Sequence, residues 1–369
     1  MQFRAMRSIA AAVAMLAGAA HADILVGQTV GVTGAVAATV KESMQGAQLY
    51  IDRVNAQGGV KGEKVDILTL DDAFDVKRAV ENTRVLVEEK NVIAMFMNRG
   101  TPHTEAMLPL LEKNEVALVA PSTGAMLLHS PVKRQIFNVR SSYQREAEKA
   151  VEHLATLGMT RVAVVHVDDS FGRDGLEGAK KGFVKANLQP AVVVAFDRTQ
   201  PDYGKVVPPL VKADVQAVIW VGSGTAVSDG IKALRRAGSA AQVVTLSNNA
   251  SAGFVKALGD DSRGVILTQV FPSERSVSYP LVKEAMDVAR EKGVELSPAM
   301  LEGYAAAKVL VEGLRRASPN PTRAKLIAAL EKMDRFDLGG LVVSYSPTDH
   351  TGLDFADLSI IGSDGKFKR

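Results

Sequence analysis

Short apolar runs rich in β-branched residues alternate with segments of helical periodicity along almost the whole chain. The apolar runs predict strands at 24–28, 65–70, 92–97, 116–120, 161–167, 191–196, 217–222, 242–246 and 264–270. The helical segments predict helices at 40–56, 75–89, 103–113, 143–157, 172–186, 202–213, 225–237 and 251–258, followed by a helix-rich stretch at 277–333. Strands that alternate with helices indicate mostly parallel sheets flanked by helices, so we predict an α/β fold.

Three short extended segments interrupt this alternation, at 137–143, 264–272 and 339–345. We predict that the chain passes there between two lobes, an arrangement that permits hinge closure. The predicted division places 23–139 and 272–338 in lobe 1, and 140–271 and 339–369 in lobe 2. Near the end of the chain, Asp364-Gly365 favours a hairpin.

The first twenty-two residues have the parts of a secretory signal peptide: basic Arg4 and Arg7, an apolar stretch at 9–17, and the cleavage pattern Ala20-His21-Ala22. The apolar stretch is shorter than the ~20 residues that a membrane span needs. Loss of the two arginines takes the formal charge from +3 to +1. We therefore expect an exported protein with a nearly neutral surface.

Composition narrows the possible functions. The near-neutral charge and the lack of a Lys/Arg cluster give no reason to expect a nucleic-acid partner. Cysteine is absent, and the histidines show no metal-binding spacing, so neither disulfides nor a metal site is expected. Gly222-Ser223-Gly224 is too short for a dinucleotide fingerprint and no G-K-[ST] phosphate loop occurs, so no cofactor is expected.

The chain resembles the periplasmic solute-binding proteins of the type I fold, in the branched-chain amino-acid (Leu/Ile/Val) binding subfamily that serves ABC importers. The resemblance is carried by Thr33-Gly34, the string 55–62 (NAQGGVKG) and Asp71-Asp72. Weaker matches follow in family order at 121–123, 137–143, 169–172 and 302–304. The resemblance implies a monomeric two-lobed periplasmic protein that holds a small molecule in the cleft between its lobes and delivers it to a membrane permease.

Ligands of open parallel sheets bind beyond the carboxyl ends of the strands, so the residues that follow each strand are candidates. Hydroxyl groups and free backbone N–H groups at helix starts suit a ligand carboxylate. In lobe 1 the candidates are Asn98, Arg99, Gly100, Thr101, Ser122, Thr123 and Gly124. The alternative is that Thr101 and Ser122 merely cap helices.

Arg99 is the most informative of these candidates, because relatives usually carry a small polar residue at that position. A guanidinium there could hold a carboxylate or a phosphate through paired hydrogen bonds. The alternative is an arginine at the rim or on the surface of the lobe, engaged in a salt bridge.

From lobe 2 we expect Phe171, Ser223, Gly224 and Asn248 at the same cleft, together with Tyr143, for which packing at the hinge is an equal alternative. Relatives that bind amino acids place a carboxylate near Ser247 to meet the ligand's ammonium, and the sequence has no acid there. This departure favours an uncharged or purely anionic ligand, such as an aromatic or aliphatic carboxylate, over an amino acid. Asp168 or Asp169 could instead supply the counter-charge, although paired acids at a strand end usually cap a helix or face solvent.

Two other functional classes are alternatives to a transport receptor. An exported α/β enzyme would need a nucleophile with a base, and no G-x-S-x-G motif or equivalent constellation is present. A ligand-sensing receptor component could share the fold but would need a membrane segment, a DNA-binding module or a partner receptor. We therefore expect a binding protein without catalytic activity.

Overall fold

A computed structural model of the protein describes residues 23–369, and the predicted signal peptide at 1–22 lies outside these described residues. Two sheets, each flanked by helices, form two lobes around separate hydrophobic clusters. The predicted α/β architecture is confirmed. Within the described residues no helix combines the length and the apolar character that crossing a bilayer requires.

The sheet of lobe 1 has five parallel strands in the order β2-β1-β3-β4-β5. Its strands are β1 (Ile24–Val30), β2 (Val65–Asp71), β3 (Ala94–Phe96), β4 (Ala117–Val119) and β5 (Ile136–Phe137). The helices between them are α1 (Ala37–Ala56), α2 (Val76–Arg84, continued by a π-helical turn at Val85–Glu89) and α3 (Thr101–Lys113).

The sheet of lobe 2 has seven strands in the order β14-β13-β10-β9-β8-β6-β7. Its parallel strands are β6 (Val162–Val167), β7 (Val192–Phe196), β8 (Ala217–Val221), β9 (Gln242–Thr245) and β10 (Ile266–Gln269). The associated helices are α4 (Tyr143–Thr156), α5 (Ser170–Lys185), α6 (Tyr203–Lys212), α7 (Gly224–Arg236) and α8 (Ala252–Leu258). At one edge lie the antiparallel strands β13 (Asp357–Ile361) and β14 (Phe367–Lys368), which form the hairpin that Asp364-Gly365 predicts.

The late helices return to lobe 1 and pack in its hydrophobic cluster. They are α9 (Pro280–Glu291), α10 (Pro298–Ala317) and α11 (Arg323–Glu331), followed by the small antiparallel pair β11 (Phe336–Asp337) and β12 (Val342–Val343). The chain thus passes between the lobes after β5, after β10 and before β13. Val343, Tyr345 and Leu353 pack with lobe 1, which favours placing the third passage after Leu353, whereas the predicted boundary lies at 338.

Two glycines allow α1 and α10 to pack in direct backbone contact. A Cβ atom on Gly303 would lie 1.8 Å from the carbonyl oxygen of Ser43, and one on Gly46 would lie 1.9 Å from that of Met300. No larger residue fits at either position without separating the helices. This contact fixes Glu302, next to Gly303, on the side of lobe 1 that faces the hinge.

Candidate functional site

The predicted ligand-binding loops meet between the lobes, at the carboxyl ends of the parallel strands. Arg99 follows β3 and Ser122 follows β4, and the two residues form an isolated parallel bridge that extends the sheet. Ser223 follows β8 and Asn248 follows β9 in the opposing lobe. Because all four residues follow the carboxyl ends of parallel strands, where ligands of such sheets bind, they lie on the two walls of one cleft.

Arg99 joins the two walls. Its guanidinium donates to the Ser122 hydroxyl at 3.1 Å and, across the cleft, to the backbone carbonyl of Asn248 at 2.5 Å. Ser122 in turn donates to the Glu302 carboxylate at 3.0 Å. We call Arg99, Ser122, Asn248 and Glu302 the inner cluster.

The charge of Arg99 has no direct partner. The side chain is 4% exposed, and no carboxylate within residues 23–369 forms an ion pair with it; its recorded acceptors are a hydroxyl and a carbonyl. Burial lowers the pKa of the guanidinium, and the nearby Tyr143 and Glu302 oppose only part of that shift. The interpretation of Arg99 as a surface arginine in a salt bridge is therefore wrong.

Thr101 and Ser122 are not helix caps. The Thr101 hydroxyl lies 2.7 Å from that of Thr123, and the N-cap position of α3 is Gly100, which has no side chain. Gly100 has φ of 98°, and a Cβ there would lie 2.5 Å from the His103 ring. Neither hydroxyl therefore caps a helix, since Thr101 is the first residue of α3 and pairs with Thr123, and Ser122 bonds to Arg99 and Glu302.

Several of the other predicted residues lie behind the cleft wall and make contacts inside lobe 1 or at the hinge. The side chain of Asn98 donates to Thr104 at 2.6 Å, inside lobe 1. Gly124 lies against the hinge, because a Cβ there would be 2.5 Å from the carbonyl oxygen of Ser141. Tyr143 and Phe171 are buried and pack against each other at 4.7 Å between ring centroids. For Tyr143 these contacts are the hinge packing that the sequence left open.

A buried ionic network, which sequence reasoning missed, lies at the hinge behind the inner cluster. Arg140, in the first passage, pairs with Glu146 of α4 and donates to the Ser247 hydroxyl at 2.7 Å. Glu146 accepts from the Ser247 amide at 2.9 Å and from the Thr268 hydroxyl. We call Arg140, Glu146, Ser247 and Thr268 the hinge network.

The hinge network corrects one inference from the sequence. An acid does lie at Ser247, since Glu146 reaches it from α4, about one hundred residues away along the chain. Its charge is matched by Arg140, however, so Glu146 is not a free counter-charge for an ammonium group. Glu302 lies 3.8 Å from the other side of the Arg140 guanidinium and so connects the hinge network to the inner cluster.

Next to the inner cluster is a cavity of about 500 Å³ that both lobes line, which we call the outer chamber. Lobe 1 contributes Ala35, Ala73 and Phe74, and lobe 2 contributes Val167, Phe196, Arg198, Thr199, Pro201, Tyr203, Ser223, Thr225, Ala226 and Asp229. Arg198 pairs with Asp169, donates to the Ser223 hydroxyl at 3.0 Å and lies over the Phe74 ring at 5.0 Å. Phe74 follows β2 and Arg198 follows β7, so a search of the residues after these two strands would have identified both.

The paired acids after β6 have structural partners. Asp169 accepts from the amides of Phe171 and Gly172 at the start of α5, at 2.9 and 3.1 Å, and pairs with Arg198. Asp168 is exposed and pairs with Arg173 at 3.0 Å. Asp169 therefore caps α5 and Asp168 faces solvent, which are the two alternatives that the sequence leaves open for paired acids at a strand end.

Comparison with known proteins agrees with this architecture. A family model described as "Periplasmic binding protein" matches residues 23–356. The chain belongs to the periplasmic binding protein family. It is 30% identical to a substrate-binding periplasmic protein from Ralstonia solanacearum, whose structure aligns over 94% of this chain and 99% of that one with a TM-score of 0.86. A "Leu/Ile/Val-binding protein homolog 3" from Brucella melitensis is 25% identical over 94% of both chains, and BraC3 from Rhizobium johnstonii is 28% identical over 85% and 84%.

The two walls contact each other beside the cleft. Glu42 of α1 accepts from the amides of Ala252 and Gly253 at the start of α8, at 3.1 and 2.8 Å. The hydroxyls of Thr39 and Ser251 lie 3.0 Å apart. Gly224 begins α7 opposite Ala35, whose carbonyl accepts from the Thr225 hydroxyl at 3.1 Å. Of these residues, Ala35 and Thr225 also line the outer chamber.

Proposed function

We propose that the protein is a periplasmic solute-binding protein that captures a small carboxylate-bearing ligand between its lobes and delivers it to an ABC importer. The observation that carries the ligand class is Arg99, a buried guanidinium in the cleft that forms no ion pair with a carboxylate of residues 23–369. The family and the Leu/Ile/Val-binding relatives support the transport role.

The position of Arg99 suits the capture of an anion. Burying a charge without a counter-ion is costly, and a ligand carboxylate would supply one while forming charge-assisted hydrogen bonds. Because Arg99 already reaches from Ser122 in lobe 1 to Asn248 in lobe 2, an anion held by it contacts both walls. Such a ligand favours the closed arrangement through contacts that it cannot make when the lobes are apart.

The remaining parts of the proposal follow from the family. The relatives are binding proteins, and we infer that this chain also binds without turnover, as a monomer. A ligand recovered from the protein after prolonged incubation should be chemically unchanged by mass spectrometry. Export should remove residues 1–22, so that N-terminal sequencing of periplasmic material starts at Asp23.

Calorimetry with an Arg99→Met variant tests the ligand class. The probes are isovalerate, 4-methylpentanoate, benzoate, 3-phenylpropionate, L-leucine and L-valine. We expect at least one carboxylate to bind the wild type and Arg99→Met to lose about 100-fold or more in affinity, since a charge-assisted pair is removed from a desolvated site. Arg173→Met, which removes an exposed arginine, is the matched control and should bind normally. Equal affinity of Arg99→Met and the wild type would disprove the role of Arg99.

A further inference from the structure

The lining of the outer chamber is mostly apolar and includes three aromatic rings. Phe74 comes from lobe 1, and Phe196 and Tyr203 come from lobe 2. The Tyr203 hydroxyl is engaged by the carbonyl of Ala226 at 2.7 Å, which leaves its ring as the surface offered to the chamber. The volume of about 500 Å³ lies within the range of about 300–1,000 Å³ common for small-molecule sites.

The backbone holds Phe74 in a conformation that a bulky residue rarely adopts. Ala73 and Phe74 have φ of 49° and 61°, in the left-handed region. The Phe74 amide donates to Asp72 at 2.8 Å, and its ring stacks on His103 at 4.4 Å between centroids. Strain of this kind persists where the surroundings fix it and is concentrated at ligand sites.

Arg198 completes the wall around Phe74 without adding an unmatched charge. Its guanidinium lies over the Phe74 ring, while Asp169 and the Ser223 hydroxyl take up its donors. With His103 and Arg198 against the ring, a ligand would meet Phe74 at its edge. Edge-to-face contact is a preferred geometry between two aromatic rings.

The inner cluster leaves little place for an ammonium group. Arg99 already donates to the Asn248 carbonyl and to the Ser122 hydroxyl, two acceptors that an ammonium could otherwise use. Asp169 is matched by Arg198 and Glu146 by Arg140. The Glu302 carboxylate accepts from the Ser122 hydroxyl and lies 3.8 Å from the Arg140 guanidinium, so its charge is also partly matched. Asp229 lines the chamber but is exposed, so solvent would screen its attraction for a cation.

The outer chamber and the inner cluster adjoin one another. Gly100, beside Arg99, lies so close to Phe74 that a Cβ on it would be 3.0 Å from the ring. On the other wall, the Asn248 side chain donates to the carbonyl of Gly222, the residue before Ser223. A ligand with its ring in the chamber would thus point its other end towards Arg99.

From this arrangement we infer that the cleft is specific for an aromatic monocarboxylate that lacks an amino group, with its ring in the outer chamber and its carboxylate towards Arg99. This inference rests on the proposed function, because it assumes a carboxylate ligand held by Arg99. It adds the aromatic ring, the absence of the ammonium group and the role of Phe74 in specificity.

Calorimetry on the wild-type protein with matched pairs of probes tests the preference for an aromatic ring and for the absence of an amino group. 3-Phenylpropionate differs from L-phenylalanine by the amino group alone, and from 3-cyclohexylpropionate by the aromaticity of its ring. We expect 3-phenylpropionate to bind at least about tenfold more tightly than either partner. Weaker or equal binding of 3-phenylpropionate in either pair would overturn the inference.

Two variants test whether the ligand's ring lies against Phe74. Phe74→Leu should weaken 3-phenylpropionate about tenfold and 4-methylpentanoate less, because only the first loses an aromatic contact, whereas Phe336→Leu, outside the cleft, should change neither. Circular dichroism confirms that each variant is folded, and the probe pairs on the wild type decide the question if Phe74→Leu is not. Should L-leucine or 4-methylpentanoate bind best in an Arg99-dependent way, the aromatic inference fails while the proposed function stands. If no probe binds in an Arg99-dependent way, both fail.

Discussion

Replacing Arg140 with methionine should destabilise the protein strongly, because it leaves buried carboxylates at the hinge without their cation. Arg140 is 2% exposed and Glu146 is fully buried. Without the guanidinium, Glu146 keeps only its neutral donors, the Ser247 amide and the Thr268 hydroxyl. Glu302, 3.8 Å from the guanidinium in the wild type, loses its nearest cation as well.

The expected magnitude follows from the cost of leaving a buried charge unpaired. Removing one member of a buried ion pair typically costs about 3–5 kcal/mol, whereas replacing both members with apolar residues is often neutral or better. Arg140→Met should therefore cost about 3–5 kcal/mol in the free energy of unfolding. The double variant Arg140→Met/Glu146→Leu should recover a large part of that loss, which gives a coupling energy of several kcal/mol.

Urea unfolding at pH 7.5 measures these differences. Trp220 is the only tryptophan of the chain and is fully buried in β8, so its fluorescence reports on lobe 2, while far-UV circular dichroism reports on both lobes. Coincident transitions are needed before the free energies are compared. Arg161→Met removes an exposed arginine paired with Asp214 at 3.0 Å and serves as the control, with an expected loss below about 1 kcal/mol.

The double variant gives a second criterion, because it removes the carboxylate that Arg140→Met leaves buried without a cation. A loss below 1 kcal/mol at pH 7.5, or a double variant whose loss equals the sum of the single losses, would refute the reasoning.

Three further substitutions have defined expectations. Gly303→Ala should cost about 3 kcal/mol or more in urea unfolding, because its methyl group meets the Ser43 carbonyl, whereas Gly204→Ala in α6 should cost little; equal effects would contradict the packing argument. Burial raises the pKa of Asp72 to about 6, so the buried carboxylate destabilises the folded protein at pH 7.5. Asp72→Asn should therefore raise the free energy of unfolding by roughly 1–3 kcal/mol at pH 7.5, and this gain should disappear as the pH falls from 6 to 4. A lower free energy of unfolding at pH 7.5 would contradict this expectation. Glu302→Gln should tighten carboxylate binding in calorimetry severalfold, and weaker binding would show that Glu302 does not oppose the ligand.

The fold was largely predictable because its signals are local. Apolar β-branched runs and helical periods need only neighbouring residues, and all of the predicted strands are present with ends shifted by at most a few residues. The third passage between the lobes was harder to place. Tyr345 and Leu353 lie in an irregular segment without a local pattern, and they pack in the hydrophobic cluster of lobe 1.

The candidate site was predictable where a strand end supplies the residue and unpredictable where distant elements meet. Arg99 and Ser122 follow consecutive strands, so their proximity follows from the order of the sheet. Glu146 and Ser247 are far apart in sequence and approach only because α4 packs over lobe 2. A search for an acid beside Ser247 in the sequence could not find a carboxylate that arrives from another helix.

The balance of charge in the cleft separates Arg99 from two other arginines, the buried Arg140 and the half-buried Arg198. Arg140 pairs with Glu146 and Arg198 pairs with Asp169, so each of these cations has a direct carboxylate. Arg99 reaches Glu302 only through the Ser122 hydroxyl, which donates to that carboxylate while accepting from the guanidinium. An incoming carboxylate can therefore add hydrogen bonds to Arg99 without breaking an existing ion pair, which it would have to do at Arg140 or Arg198. Under the proposed function, Arg99 is therefore the arginine at which an anionic ligand would gain most.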